Sequence, residues 1–173
     1  MTSTFVESLV VGRVIGEVVD LFVPTVTMSV NYGPKHINNG CDVKPSMAVN
    51  PPALCISGNI SDLYTLIMTD PDAPSPSEPR MRECIHWLVV NIPGGTDPFK
   101  GEEIVPYMPP QPPLGIHRYV FVLFQQQKRI EGMSPFASRA NFNTRLFASQ
   151  LELGLPVAAV YFNCQRQPNN RRR

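Results

Sequence analysis

Ile85-His86-Trp87-Leu88-Val89-Val90-Asn91-Ile92 is a nearly unbroken apolar run of strand length, and Leu63 to Thr69 and Tyr119 to Phe124 have the same character. All three are rich in β-branched and aromatic residues, which suits central strands covered on both faces. They form the expected core sheet, and the rest of the chain is read outward from them.

Upstream, Val26, Met28, Val30 and Tyr32 alternate with Thr25, Thr27, Ser29 and Asn31, the period of a half-buried strand. Gly33-Pro34 and Asn38-Asn39-Gly40 read as turns, with short strands at Cys41 to Val43 and Leu54 to Ile56 separated by Pro51-Pro52. Val11, Val14, Ile15, Val18, Leu21 and Phe22 recur at helical spacing up to Pro24, which predicts a short amphipathic N-terminal helix. Near the other end, Asn141 or Asn143 can cap a helix carrying Phe142, Leu146, Phe147 and Leu151, closed by Gly154 and Pro156. Val157 to Phe162 then returns as a strand.

With 173 residues, 43% of them apolar, the chain can bury one continuous core, and no repeat or linker divides it. Nineteen prolines against 17% charged residues imply many fixed loops between short elements. The expected fold is mainly β: one sandwich-like domain over residues 1–173 with short peripheral helices and a flexible basic tail from about 168.

A formal net charge of +1 leaves little room for a surface that binds DNA or RNA directly, and the run Arg171 to Arg173 reads as a solvated tail. No stretch approaches the apolar length of a spanning helix, and no secretory leader is visible, so the protein is expected to stay inside the cell. Cys41, Cys55, Cys84 and Cys164 lack CxxC spacing and read as reduced thiols, which leaves the Asn59-Ile60-Ser61 sequon unused. No exposed heptad asks for a second copy, so a monomer is the default.

The polar chemistry falls at the ends of the apolar runs. Asp70 and Asp72 flank Pro71, and in an extended chain both carboxylates would point to one face. His86 opens one core strand and His117-Arg118 precedes another, while the proline-rich stretch from Pro106 to Pro113 is stiff enough to wall a cavity. Each group also has a plainer reading. The aspartates can organise a turn, each histidine can be a satisfied structural group, and Arg118 can simply neutralise a buried aspartate.

Asp70-Pro71-Asp72-Ala73-Pro74 with His86-Trp87 downstream, and Gly115-Ile116-His117-Arg118, resemble the two signature segments of the phosphatidylethanolamine-binding family. Leu9 to Gly16, Gly33-Pro34-Lys35, Asn141 to Arg145 and Leu153 to Val160 are similar to its plant flowering-locus-T and terminal-flower members. Gly94-Gly95, Tyr119 and the terminal arginines resemble the mother-of-flowering-locus-T branch, which is associated with seed germination and abscisic-acid response.

The resemblance implies a large central sheet packed on a smaller one and cis peptides at Ala73-Pro74 and Arg82-Glu83. It also implies an anion pocket built by Asp70, Asp72, Pro74, Cys84, His86, Pro110, Gly115, His117 and Tyr119. Phosphate-type groups, phospholipid head groups among them, are the implied ligands, with no cofactor, metal or catalytic residue. An anion beside two aspartates needs a shared proton or charged histidines, so affinity should fall well above neutral pH.

The implied partners are 14-3-3 proteins and, through them, basic-leucine-zipper transcription factors, which makes the protein a transcription co-regulator. Pro93 and Arg129 match that docking surface, whereas Ser61 stands where an arginine is expected. Cys84 replaces the aromatic or histidine that relatives carry two residues before His86, and should widen the pocket entrance. Ser138 and Ala140 stand where flowering promoters have tryptophan and glutamine, and Gln150-Leu151-Glu152 replaces their Ile-Tyr-Asn, so the chain does not read as a florigen. Two other classes remain open: a kinase inhibitor acting by direct contact, and an Asp/His hydrolase. The second has no GxSxG, HExxH or glycine-rich phosphate cradle to support it.

Overall fold

The computed structural model describes residues 2–168, so of the expected basic tail only Pro168 falls within the described residues and Arg171 to Arg173 lie outside them. The three core runs are strands β5 (Leu63–Asp70), β6 (Cys84–Pro93) and β8 (His117–Gln125), adjacent in a six-stranded sheet. β9 (Ala158–Cys164), β3 (Cys41–Asp42) and β7 (Glu102–Val105) complete it in the order β3-β9-β8-β5-β6-β7, antiparallel except for β3 with β9. A second sheet of order β2-β1-β4 is made by β1 (Met28–Tyr32), β2 (Lys35–His36) and β4 (Ala53–Ile56). The two-residue β2 and the glutamate-led β7 carry too few apolar residues to have announced themselves as strands.

Strand alternation divides the core in two. Tyr64, Leu66, Met68, Tyr119, Phe121 and Leu123 face the small sheet, where Val30, Tyr32, Leu54 and Ile56 meet them. Ile67, Ile85, Val120, Val122 and Phe124 face the other way, under Leu9, Val14, Phe22 and the C-terminal helix α3 (Thr144–Gln150). Both faces of the large sheet are covered, which is why its strands read as continuous apolar runs.

The N-terminal helix is displaced from its expected position. Helix α1 spans Thr2–Val11, and the stretch predicted as helical holds only the single turn α2 (Val14–Glu17). Arg13 (φ 61°) and Gly16 (φ 116°) leave the right-handed helical region, so the chain turns instead of winding. Val14, Val18 and Phe22 are buried all the same, so the helical spacing reported burial along a bent segment. Helix α3 begins as expected, with the Asn143 side chain accepting from the Leu146 amide at 2.9 Å. Phe142 lies outside it and stacks on Phe136. Both peptides implied by the family resemblance, Ala73-Pro74 and Arg82-Glu83, are cis.

Candidate ligand site

Asp70, His86, His117 and Tyr119 converge at one end of the central strands, on the face toward the small sheet. Asp70 ends β5, and His117 and Tyr119 share one face of β8. His86 arrives by a different device. Met68 pairs with Trp87 and Thr69 with Ile85, so His86 is an extra residue in β6, a bulge that leaves it on the same face as Trp87. Its ring meets Tyr119 edge-on at 5.1 Å, and the His117 ring stacks on Tyr119 at 6.2 Å.

The two imidazoles are held in different states. His117 Nδ1 lies 2.7 Å from Asp70 Oδ2, and its Nε2 lies 2.9 Å from the carbonyl oxygen of Leu114. A carboxylate and a carbonyl are both acceptors, so these two contacts favour a ring that donates from both nitrogens, the imidazolium form. Burial works against that charge, but the hydrogen bond and charge of Asp70 outweigh it and raise the His117 pKa above the ordinary histidine value. His86 Nδ1 donates to the Met108 carbonyl at 2.6 Å. Burial lowers the His86 pKa and so disfavours the charged ring, and among the described residues its Nε2 bonds to no protein group.

Gly115 sets the Leu114 carbonyl in place. Its φ is +80°, and a Cβ there would sit 2.6 Å from Pro76 Cδ, so only glycine lets the loop pass. Pro110 is buried and Pro74 half-buried in the flanking loops. Asp70, His86, His117 and Tyr119 are at most 4% exposed. Cys84 is also buried, paired across β5–β6 with Asp70.

Asp72 does not join Asp70. The chain turns at Pro71-Asp72 instead of staying extended, and the Asp72 carboxylate swings to the opposite side. There Arg118 Nε reaches Asp72 Oδ2 at 2.9 Å and Arg118 Nη2 reaches Oδ1 at 2.7 Å, with Glu17 and the Gly12 carbonyl completing the shell. His117 and Arg118 are neighbours in a strand and therefore face opposite ways, which removes the arginine from the histidine cluster. Arg118 neutralises a buried aspartate, the plainer of its two readings.

The expected partner surface is split as well. Ser138 and Ala140 flank Arg139, whose guanidinium donates to the carbonyls of Ile85, His86 and Pro106 at the histidine end. Pro93 ends β6, seven residues or roughly 23 Å along the strand from His86, and Arg129 lies in the loop that follows β8 at the same end. Ser61 is exposed in the loop before β5, its amide and hydroxyl both bonded to Asn59 Oδ1.

Several participants left no trace in the sequence reading. The Met108 and Leu114 carbonyls are backbone groups that any residue supplies. Cys164 pairs with His117 only across β8–β9. Buried Glu83 accepts from Thr69 and from the hydroxyl and amide of Thr144, joining β5 to α3. Among the described residues, no three His, Cys, Asp or Glu side chains group as metal ligands. No helix of the described residues is long and apolar enough to cross a membrane.

The family model of phosphatidylethanolamine-binding proteins matches residues 24–162. The chain is 64% identical to the rice (Oryza sativa subsp. japonica) protein MOTHER of FT and TFL1 homolog 2 over 171 residues, 98% of each chain. It is 47% identical to the Arabidopsis thaliana protein TERMINAL FLOWER 1, covering 100% of this chain and 98% of that one. Its fold is similar to that of a carboxypeptidase Y inhibitor solved with its cognate proteinase, at a TM-score of 0.87, 23% identity and 96% and 97% coverage.

Proposed function

The chain belongs to the phosphatidylethanolamine-binding protein family, and from that premise we propose that it is a non-enzymatic plant regulator that binds a phosphate-type anion through His86. It acts on transcription through 14-3-3 proteins and the basic-leucine-zipper factors they hold, in the cytoplasm and nucleus, in the control of germination and abscisic-acid response or of flowering. The high identity to plant relatives named for flowering genes supports the regulatory role.

The observation that carries the ligand reading is the unequal hydrogen bonding of the two imidazoles. His117 spends its charge on Asp70 and both its N–H groups on protein acceptors, so it offers a ligand no further donor. His86 Nε2 is the one ring nitrogen of the cluster without a protein partner, and on protonation it becomes a charged donor aimed at an anion. Neither ring is hydrogen-bonded to a serine, threonine or cysteine among the described residues, so neither is paired with a nucleophile in the manner of a hydrolase.

Calorimetric titration with inorganic phosphate and O-phosphoethanolamine at about pH 5.5 and about pH 8.5 tests the reading. Binding is expected at the lower pH, weaker at the higher, and absent in His86→Ala. Equal affinity at both values removes the charged-histidine account. Hydrolysis of a phosphoester that disappears in His86→Ala replaces the binding module with an enzyme. Recovery of 14-3-3 proteins on the full chain from plant extract tests the partner.

A further inference from the structure

At the end of the central strands remote from the histidines lie three buried polar side chains, Thr65, Asn91 and Gln126. Tyr64 pairs with Ile92 and Leu66 with Val89, so Val90 and Asn91 together oppose Thr65 and form a second bulge in β6. Asn91 sits at φ 60°, in the left-handed region.

Gln126 closes this bulge. Its Oε1 accepts from Thr65 Oγ1 at 2.7 Å and from the Asn91 amide at 2.8 Å, and its Nε2 donates to Asn91 Oδ1 at 2.9 Å and to the Lys128 carbonyl at 3.2 Å. Asn91 then grips the loop after β8 with both ends of its amide. Its Oδ1 accepts from the Ile130 amide at 2.9 Å and its Nδ2 donates to the Ile130 carbonyl at 2.7 Å. The loop so held carries Arg129, exposed, and the strand that holds it ends two residues later at Pro93.

We infer that Asn91 and Gln126 are positioning residues of the partner-docking face, a buried amide pair that fixes the Arg129 loop against the strand bearing Pro93. This role rests on the 14-3-3 reading above. The amide pair bonds the Asn91 amide, both backbone groups of Ile130 and the Lys128 carbonyl, which apolar side chains at this strand end could not do, so its bonds go to the loop as well as to the sheet. What the amides add is a bond on either side of Ile130, which leaves Arg129 little freedom to lose on docking.

Two variants of the full chain test this. Asn91→Gly keeps the positive φ and deletes the amide, and Gln126→Met keeps the length and removes the bonds from the other side. Hydrogen exchange followed by NMR reads the Ile130 amide, and calorimetry with a purified plant 14-3-3 protein reads docking, each in wild-type and Arg129→Ala backgrounds. In Asn91→Gly the Ile130 amide should exchange about tenfold faster while the amides of Leu66 and Val122 keep their protection. Affinity for 14-3-3 should fall about fivefold in the wild-type background and not further in Arg129→Ala, the non-additivity of residues acting as a unit.

Unchanged Ile130 exchange overturns the clamp. An equal affinity loss in both backgrounds shows a general destabilisation and overturns the positioning role. If Asn91→Gly does not fold, Gln126→Met decides by the same comparisons. A wild-type chain that binds no 14-3-3 protein removes the docking reading and this role with it, while Ile130 exchange still reports whether the loop is held.

Discussion

Arg118 holds Asp72 by two parallel bonds, Nε to Oδ2 at 2.9 Å and Nη2 to Oδ1 at 2.7 Å, across the face of the sheet opposite to the one that carries His117. One Arg118 side chain thereby ties the N-terminal turn, through Glu17 and the Gly12 carbonyl, to the loop after β5.

Removing that arginine leaves the nearly buried Asp72 carboxylate with the residue-118 backbone amide and the more distant Arg82, 3.6 Å away. Arg118→Ala should destabilise the protein by roughly 1.5–3 kcal/mol in urea unfolding. Phosphate binding measured well below the new midpoint should persist, because His86 lies on the other face. Loss of binding with stability intact would contradict this separation of faces.

At about pH 7, nitrogen-edited NMR should find both His117 ring nitrogens protonated and His86 protonated at Nδ1 alone. A neutral His117 would mean that its contact with Asp70 is not an ion pair, and the electrostatic account of the site would have to be rebuilt.

The two histidines bend the pH dependence of stability in opposite directions. His117 has a raised folded pKa, so its contribution is fully present below the ordinary histidine value and is lost as pH rises through the folded one. His86 has a lowered folded pKa. As pH falls below the ordinary value the unfolded chain takes up a proton that the folded chain refuses, and stability declines. Urea midpoints should therefore drop on both sides of a maximum near neutrality, with His117→Asn flattening the alkaline limb and His86→Asn the acid limb. Unaltered limbs in the two variants would assign the curvature to other groups.

Gly115→Ala places a Cβ against the rigid Pro76 ring at a backbone φ of +80°. A cost of about 1–3 kcal/mol is expected. Because the displaced loop carries the Leu114 carbonyl, the His117 pKa should fall as well. A stability loss with no change in that pKa would show that Leu114 is not a determinant of the imidazolium.

Much of this architecture was legible because the large sheet is covered on both sides. Leu63 to Thr69, Ile85 to Ile92 and Tyr119 to Phe124 could be read as central strands from apolar content alone, and period two marked β1. The N-terminal helix was misplaced because helical spacing and burial along a bent segment look alike in one dimension, and Arg13 and Gly16 decide between them through φ. The site was legible as a list and misleading as an arrangement. Expecting Asp70 and Asp72 on one face assumed an extended chain, which the turn at Pro71-Asp72 breaks.

Residue types, their order and the two signature segments were determined by the sequence alone: which imidazoles and carboxylates exist, that they end core strands, and which family they belong to. Only the tertiary structure decided which carboxylate each cation takes, that His117 meets Asp70 while His86 meets a backbone carbonyl, and that Pro93 and Arg129 stand at the opposite end of the sheet from the histidines. The physical reason is that protonation and pairing depend on distances of a few ångströms between strands far apart in the chain. Bulges and turns, each a single residue's φ and ψ, determine which side chains reach those distances.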